Sequence, residues 1–336
     1  MPSRTALLPA AVVLALVAGC IVALVMASMK PAEAAFPGRN GAIVFAGGKP
    51  GERYIPLVYR VRPDGSGVKR LAEGAFIAGL DYSADGRKLV WSEDTCPDEG
   101  YDCNTLFVAN ANGTGQHPLS ATIPGAHTPH NISPSWYPAG RRIVFSANPY
   151  GSATDSKAAL FVVSLDENGN ATSTPTQWTD NAGQAFEWGA EVSPDGSKIA
   201  FASDRDGDDE IYVMDANKPE GPGNSPVQLT DNPVRDMAPD WSPDGKRIVY
   251  ESRRKDGIDW DVVVMNADGT FKKNLTRNPA DDRLPAFSPN GKSIAFTRDT
   301  SDWRREVWKM RADGTRQVRL TEGFELALYP DWRPRP

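Results

Sequence analysis

A pattern of apolar and polar positions recurs six times along the chain. A short turn ending in glycine is followed, about two residues later, by an aliphatic–x–aromatic triplet. The copies are NGAIVF (Asn40–Phe45), SADGRKLVW (Ser83–Trp91), YPAGRRIVF (Tyr137–Phe145), SPDGSKIAF (Ser193–Phe201), SPDGKRIVY (Ser242–Tyr250) and SPNGKSIAF (Ser288–Phe296). Each continues into an alternating run such as IYVMDAN or VVVMNADG, then a short segment such as VQLT or KNLT. Alternation of period two predicts half-buried strands, and the Asp-Gly and Asn-Gly pairs between runs predict hairpins. A large residue (Tyr82, Trp136, Trp241, Phe287 or Trp332) precedes most of the turns and marks a further strand before each. The turn glycines Gly41, Gly86, Gly140, Gly196, Gly245 and Gly291 are spaced by 45, 54, 56, 49 and 46 residues. A period of about 40–50 residues built from short strands predicts propeller blades.

The two ends complement each other. The first repeat starts at its turn, Pro37 to Gly41, without a preceding strand. The end, LYPDWRP (Leu328–Pro334), matches MAPDWSP (Met237–Pro243) but has no blade behind it. The expected fold is therefore all-β: a six-bladed β-propeller of four-stranded antiparallel blades, closed by the C-terminal strand completing the first blade. Closure removes exposed sheet edges. The 30 Gly and 28 Pro among 336 residues agree with so many turns.

Residues 1–35 read differently, as a signal peptide or membrane anchor, leaving 36–336 for the propeller. Ala6 to Met29 carries no charge, with Arg4 before it and Lys30 after it. Ala32-Glu33-Ala34 fits an A-x-A cleavage site, yet the apolar stretch is long enough to span a bilayer. Val17 to Cys20 also resembles a lipoprotein cleavage box. All three alternatives predict export to the periplasm or beyond. In such a compartment Cys96 and Cys103, in CPDEGYDC, are expected to form a local disulfide. A net charge of −6 without a basic run excludes nucleic acid as the expected partner.

The strings APDWSPDGKRIVYES, SDRDGDDEIYVMDA and VMNADGTFKKNLT closely resemble the TolB-type β-propeller repeat, a WD-like repeat. The resemblance spans about Phe36 to Pro334. It implies an exported propeller that binds a protein of the cell envelope at one mouth of its channel. TolB-type proteins carry an α/β domain before the propeller, whereas here the repeats are expected to begin directly after the leader.

Candidate chemistry is sparse. No G-x-S-x-G or H-E-x-x-H string occurs, so no catalytic constellation is recognised. His127 and His130, in AHTPHN, are candidate ligands in a loop. Asp204, Asp206 and Asp208, in SDRDGDDE, offer oxygen ligands that would suit Ca²⁺; no other cofactor is implied. Five residues before the end of four consecutive inner strands lie Asn131, Glu187, Asp236 and Asp282, against Ile77 and Ala327 in the other two. With Arg235 and Arg283 they are the candidate binding residues of an acidic arc at one channel mouth. The alternative is that each carboxylate caps its own turn. The expected function is an exported, non-enzymatic binding or scaffold protein recognising a protein or glycan. The alternatives are a carbohydrate-active hydrolase or lyase using channel-mouth carboxylates, and an anchored sensor if the leader is retained.

Overall fold

The computed structural model describes residues 38–50, 57–72, 77–95, 104–120, 123, 131–148, 157–180, 185–255, 257, 259–300 and 304–335. Residues 1–35, expected to be a signal peptide or anchor, lie outside these residues, as do Cys96, Cys103, His127 and His130, and Asn131 is described only as the first residue of its strand.

Six four-stranded antiparallel sheets form the ring. Blade 5 shows how the repeat folds. Its strands are Asp236–Trp241, Arg247–Arg253, Trp260–Asn266 and Lys273–Asn274, in that order from the channel outward. The Ser-Pro-Asp-Gly turn closes on itself. Ser242 Oγ donates to Asp244 Oδ1 at 2.6 Å and accepts from Arg247 N at 2.9 Å. Asp244 Oδ1 also accepts from Lys246 N at 3.1 Å. The same bonds recur around Ser193 and Asp195. These short polar side chains replace the backbone partners that a sharp turn removes, which is why the motif repeats.

The short third segment has a similar cause. In VQLT, KNLT and VRLT the threonine is buried, and its hydroxyl accepts the N–H of Ile211, Val262 or Val307 at 2.8–2.9 Å. Thr179 of TQWT does the same for Leu160. The outer strand is only two residues long here, so a side chain satisfies a donor that the ladder does not reach.

The ring closes as the complementary ends predict. Leu326–Arg335 pairs antiparallel with Arg39–Gly48, bringing Trp332 opposite Ile43 and Leu328 opposite Ala46. The apolar residues do not form one core. They form six clusters, one in each seam between adjacent blades, such as Val249, Val264, Phe287, Ile294 and Phe296 between blades 5 and 6. Both faces of each blade are thus buried against a neighbour. This explains the near-continuous apolar strands Ile248–Tyr250 and Ile294–Phe296.

One glycine sets how close the seams come. Gly113, with φ +87°, lies against blade 1 so tightly that a Cβ would sit 2.1 Å from the Leu71 carbonyl oxygen. Its counterpart Gly314 meets the Leu275 carbonyl of blade 5 at 2.9 Å in the same way. The Asp-Gly and Asn-Gly turns therefore serve as hairpin and as blade-to-blade contact at once.

Candidate functional site

The faces of each inner strand pack on neighbouring blades, so only its free edge borders the channel. At mid-length each inner strand is interrupted by a bulge, visible as a register shift between, for instance, Met237 and Asp240 against Glu251 and Val249. The residue at the break is left-handed in all six blades: Gly79, Ser133, Gly189, Ala238, Leu284 and Tyr329. In four of these blades it is not glycine, at φ 48–53°, and a proline follows. A side chain in this conformation costs about 1 kcal/mol, and such strain collects at functional positions.

Just past the bulge the side chains are Asp81, Ser135, Glu191, Asp240, Ala286 and Asp331, and four carboxylates thus encircle the channel. They form a waist between two cavities. On one side is a funnel of about 110 Å³ whose wall includes Leu80, Pro134, Trp188, Pro239, Leu284 and Tyr329. On the other is a smaller cavity of about 40 Å³ bordered by Tyr82, Trp241, Phe287 and Trp332. Asp81, Glu191, Asp240 and Asp331 border both.

Three of the four carboxylates have a structural part. Asp331 Oδ2 accepts the Tyr82 N–H at 2.8 Å, Asp81 Oδ2 the Trp136 N–H at 2.6 Å, and Asp240 Oδ2 the Phe287 N–H at 2.5 Å. Each reaches the free edge of the next blade's inner strand, whose donors have no strand to pair with. The electrostatics run the other way. Burial, and then the neighbouring carboxylates, push Asp81 and Glu191 well above the usual carboxylate range. Burial does the same to Asp240, and lifts Asp331 to about 7. Burial thus disfavours charge at the waist, and a cation brought there would favour the ionised carboxylates.

The sequence placed its candidates elsewhere on the same strands. Glu187, Asp236 and Asp282 do begin the inner strands of blades 4, 5 and 6. They are buried, however, and each is held apart from the others by its own partners. Arg205 pairs with Glu187 and also reaches Glu220 at 3.0 Å. Arg298 grips Asp282 with two bonds of 2.6 and 2.7 Å, and Asn278 adds a third at 2.7 Å. Asp236 has no such arginine. It accepts from Asn232 at 2.7 Å, and burial raises its pKa. The expected open arc is thus replaced by separate seams between blades, because strand residues away from the bulge point at neighbouring sheets. Arg235 binds Asp209 at 2.5 Å, and Arg283 binds Glu251 at 3.0 Å while lying over the Trp260 ring.

The acidic loop does not gather either. Asp204 Oδ1 caps Phe186 N at 2.6 Å, and Asp206 binds the Gln228 amide. Among the described residues no three His, Cys, Asp or Glu side chains converge as a metal site. What the sequence reading missed is the ring of Asp81, Glu191, Asp240 and Asp331. A signal was available: in APDW and YPDW, and at Asp81-Tyr82, an acid directly precedes the inner-strand aromatic.

Comparison with known proteins agrees with this architecture. Residues 226–336 match the TolB beta propeller domain. A 63-residue stretch, 19% of the chain, is 40% identical to the Tol-Pal system protein TolB of Desulfosudis oleivorans. A 117-residue stretch, 34% of the chain, is 30% identical to an uncharacterized peptidase, YuxL, of Bacillus subtilis. These matches span only 13% and 16% of the relatives' own lengths. Among solved structures, TolB from Acinetobacter baumannii superposes with a TM-score of 0.69 at 21% identity, over 88% of this chain and 67% of that one.

Proposed function

Taking the chain as a propeller of the TolB type, we propose that it is an exported binding protein that holds the basic tip of a protein partner in its channel. The observation that carries this reading is the funnel, an apolar wall leading to a ring of four carboxylates. A space of about 110 Å³ accepts the end of one side chain or a few waters, and it is too small for a polymer. A lysine or arginine entering it would lay its apolar stem along Leu80, Trp188 and Leu284 and present its charge to the acids. The left-handed bulges support the same reading, since they hold strain where the acids meet the channel.

Replacing two of the acids tests this. Asp240→Asn with Asp331→Asn keeps an oxygen for the Phe287 and Tyr82 N–H groups while removing charge. Tagged protein exposed to an envelope extract is expected to capture a partner that the double variant loses. Capture unchanged in the variant would refute the channel as the site. Turnover of a polysaccharide by the purified protein, lost in the same variant, would favour the carbohydrate-active alternative.

A further inference from the structure

A third cavity, of opposite character, lies on the outside of the ring, in the seam between blades 5 and 6. It has a volume of about 600 Å³, larger than either cavity at the channel, and is bordered by Arg247, Asn266, Phe271, Lys273, Lys292 and Arg311. The one carboxylate on its border, Asp313, is already bound to Thr315 through N at 2.9 Å and Oγ1 at 2.6 Å. Among the described residues none of the four cations makes an ion pair. The arginines across the ring differ in this respect: Arg205, Arg235, Arg254, Arg283 and Arg298 are all paired to acids. Arg311 and Lys273 lie close enough to Asp313 to favour its charge, as Arg247 does to Asp244, and Lys273 Nζ donates to the Asp313 carbonyl at 3.0 Å. Four cations against one bordering carboxylate still leave a positive excess that attracts anions.

The repeat alone does not produce this charge. At the matching positions between blades 4 and 5 stand Lys198, Asp215, Val227, Lys246 and Asn266, two cations and an acid in place of four cations. Phe271 is a second and independent feature. It is 74% exposed and left-handed at φ 52°. The same place after the turn is Gly67 in blade 1 and Gly115 in blade 2, where left-handed backbone carries no penalty, and Arg316 in blade 6, left-handed as well at φ 55°. Blade 5 instead holds a strained aromatic ring out into solvent at the border of a cationic cleft.

We propose that this cleft binds an acidic polysaccharide. The guanidinium groups of Arg247 and Arg311 suit planar carboxylates or other oxyanions, and the two lysines act as point charges. Phe271 offers a flat apolar face to the C–H side of a sugar ring. The cleft is concave, which suits a polymer strand better than the flat surface of a bilayer, and its volume admits several sugar units. Nucleic acid fits less well. Its affinity comes from long tracts of phosphate contacts, while the chain as a whole carries −6. The site is separate from the channel, so its test does not depend on the protein partner.

Affinity electrophoresis of the full chain through polygalacturonate, dextran sulfate and neutral dextran decides the matter. Retardation is expected in at least one acidic gel and not in dextran. Lys292→Glu with Arg311→Glu is expected to weaken it about tenfold or more. Lys198→Glu with Lys246→Glu makes the same change in net charge at the matching positions between blades 4 and 5 and is expected to leave it within about twofold. Phe271→Gly is expected to weaken binding about threefold or more without lowering the melting temperature, because it relieves strain. The proposal is overturned if neither acidic polymer retards the protein, or if both double variants lose binding equally. It is also overturned if the blade 5–6 cations are needed only for phosphatidylglycerol vesicles or for an oligo-dT strand.

Discussion

Asp331 connects the folding of the ring to the charge of its channel, and Asp331→Asn separates the two. The carboxyl group is lifted from an ordinary 3.8 to about 7 by burial. A folded-state value above the unfolded one means that the unfolded chain gives up its proton first. Stability is therefore full below about pH 4 and falls as the pH rises towards 7. The complete rise corresponds to at most about 4 kcal/mol. Relaxation of the folded chain around the buried charge recovers part of this, leaving roughly 1–2 kcal/mol above pH 7. The asparagine has no charge to lose, and its side-chain oxygen still accepts from Tyr82 N, now at 2.8 Å from Asp331 Oδ2. The variant is expected to melt about 2–6 °C higher than the parent at pH 8, and at the same temperature near pH 4. Asp331→Ala would relieve the same charge but leave the Tyr82 donor buried without a partner, a cost of about 1–3 kcal/mol. Thermal unfolding of the three proteins from pH 4 to pH 8, followed by circular dichroism, is the assay. A constant difference between parent and asparagine variant at every pH would refute the argument, as would a lower melting temperature for that variant at pH 8.

Two further outcomes follow from the seams. Arg298→Ala strands the buried Asp282 carboxylate and is expected to cost about 3–5 kcal/mol in urea unfolding, whereas Arg298→Met with Asp282→Leu recovers most of it; a single-variant cost below about 1 kcal/mol would contradict the role given to this pair. Gly113→Ala is expected to cost about 3 kcal/mol or more, because its Cβ meets the Leu71 carbonyl, while Gly140→Ala, which has open space and a similar φ of +67°, costs only about 1 kcal/mol; equal costs would show that the seam yields.

The architecture could be read from the sequence because each repeat states it locally. Ser-Pro-Asp-Gly closes on itself through Ser242 and Asp244, alternation marks the strands, and six glycines give the count. Closure was equally legible, since an unfinished first blade and a surplus last strand fit only one way. The local signals also carried the hydrogen-bonding threonines, although VQLT and KNLT revealed only a strand and not a donor satisfied across it.

The site depended on facts that no single repeat contains. Glu187, Asp236 and Asp282 stand out because they recur five residues before the end of the aligned inner strands, and on those strands they do lie. That spacing alone does not say whether a side chain meets a neighbouring blade or the channel. The bulge at Ala238 and its five counterparts decides that, and it brings Asp81, Glu191, Asp240 and Asp331 together from four blades. The basic cleft is likewise a product of assembly. Arg247 and Lys273 belong to one blade, Lys292 and Arg311 to the next, and no run of basic residues announces them. The sequence by itself determined the blades, their number and their order, because those follow from contacts within about fifty residues. Only the closed ring decided which charges face each other, because that depends on residues far apart in the chain held in one low-dielectric space.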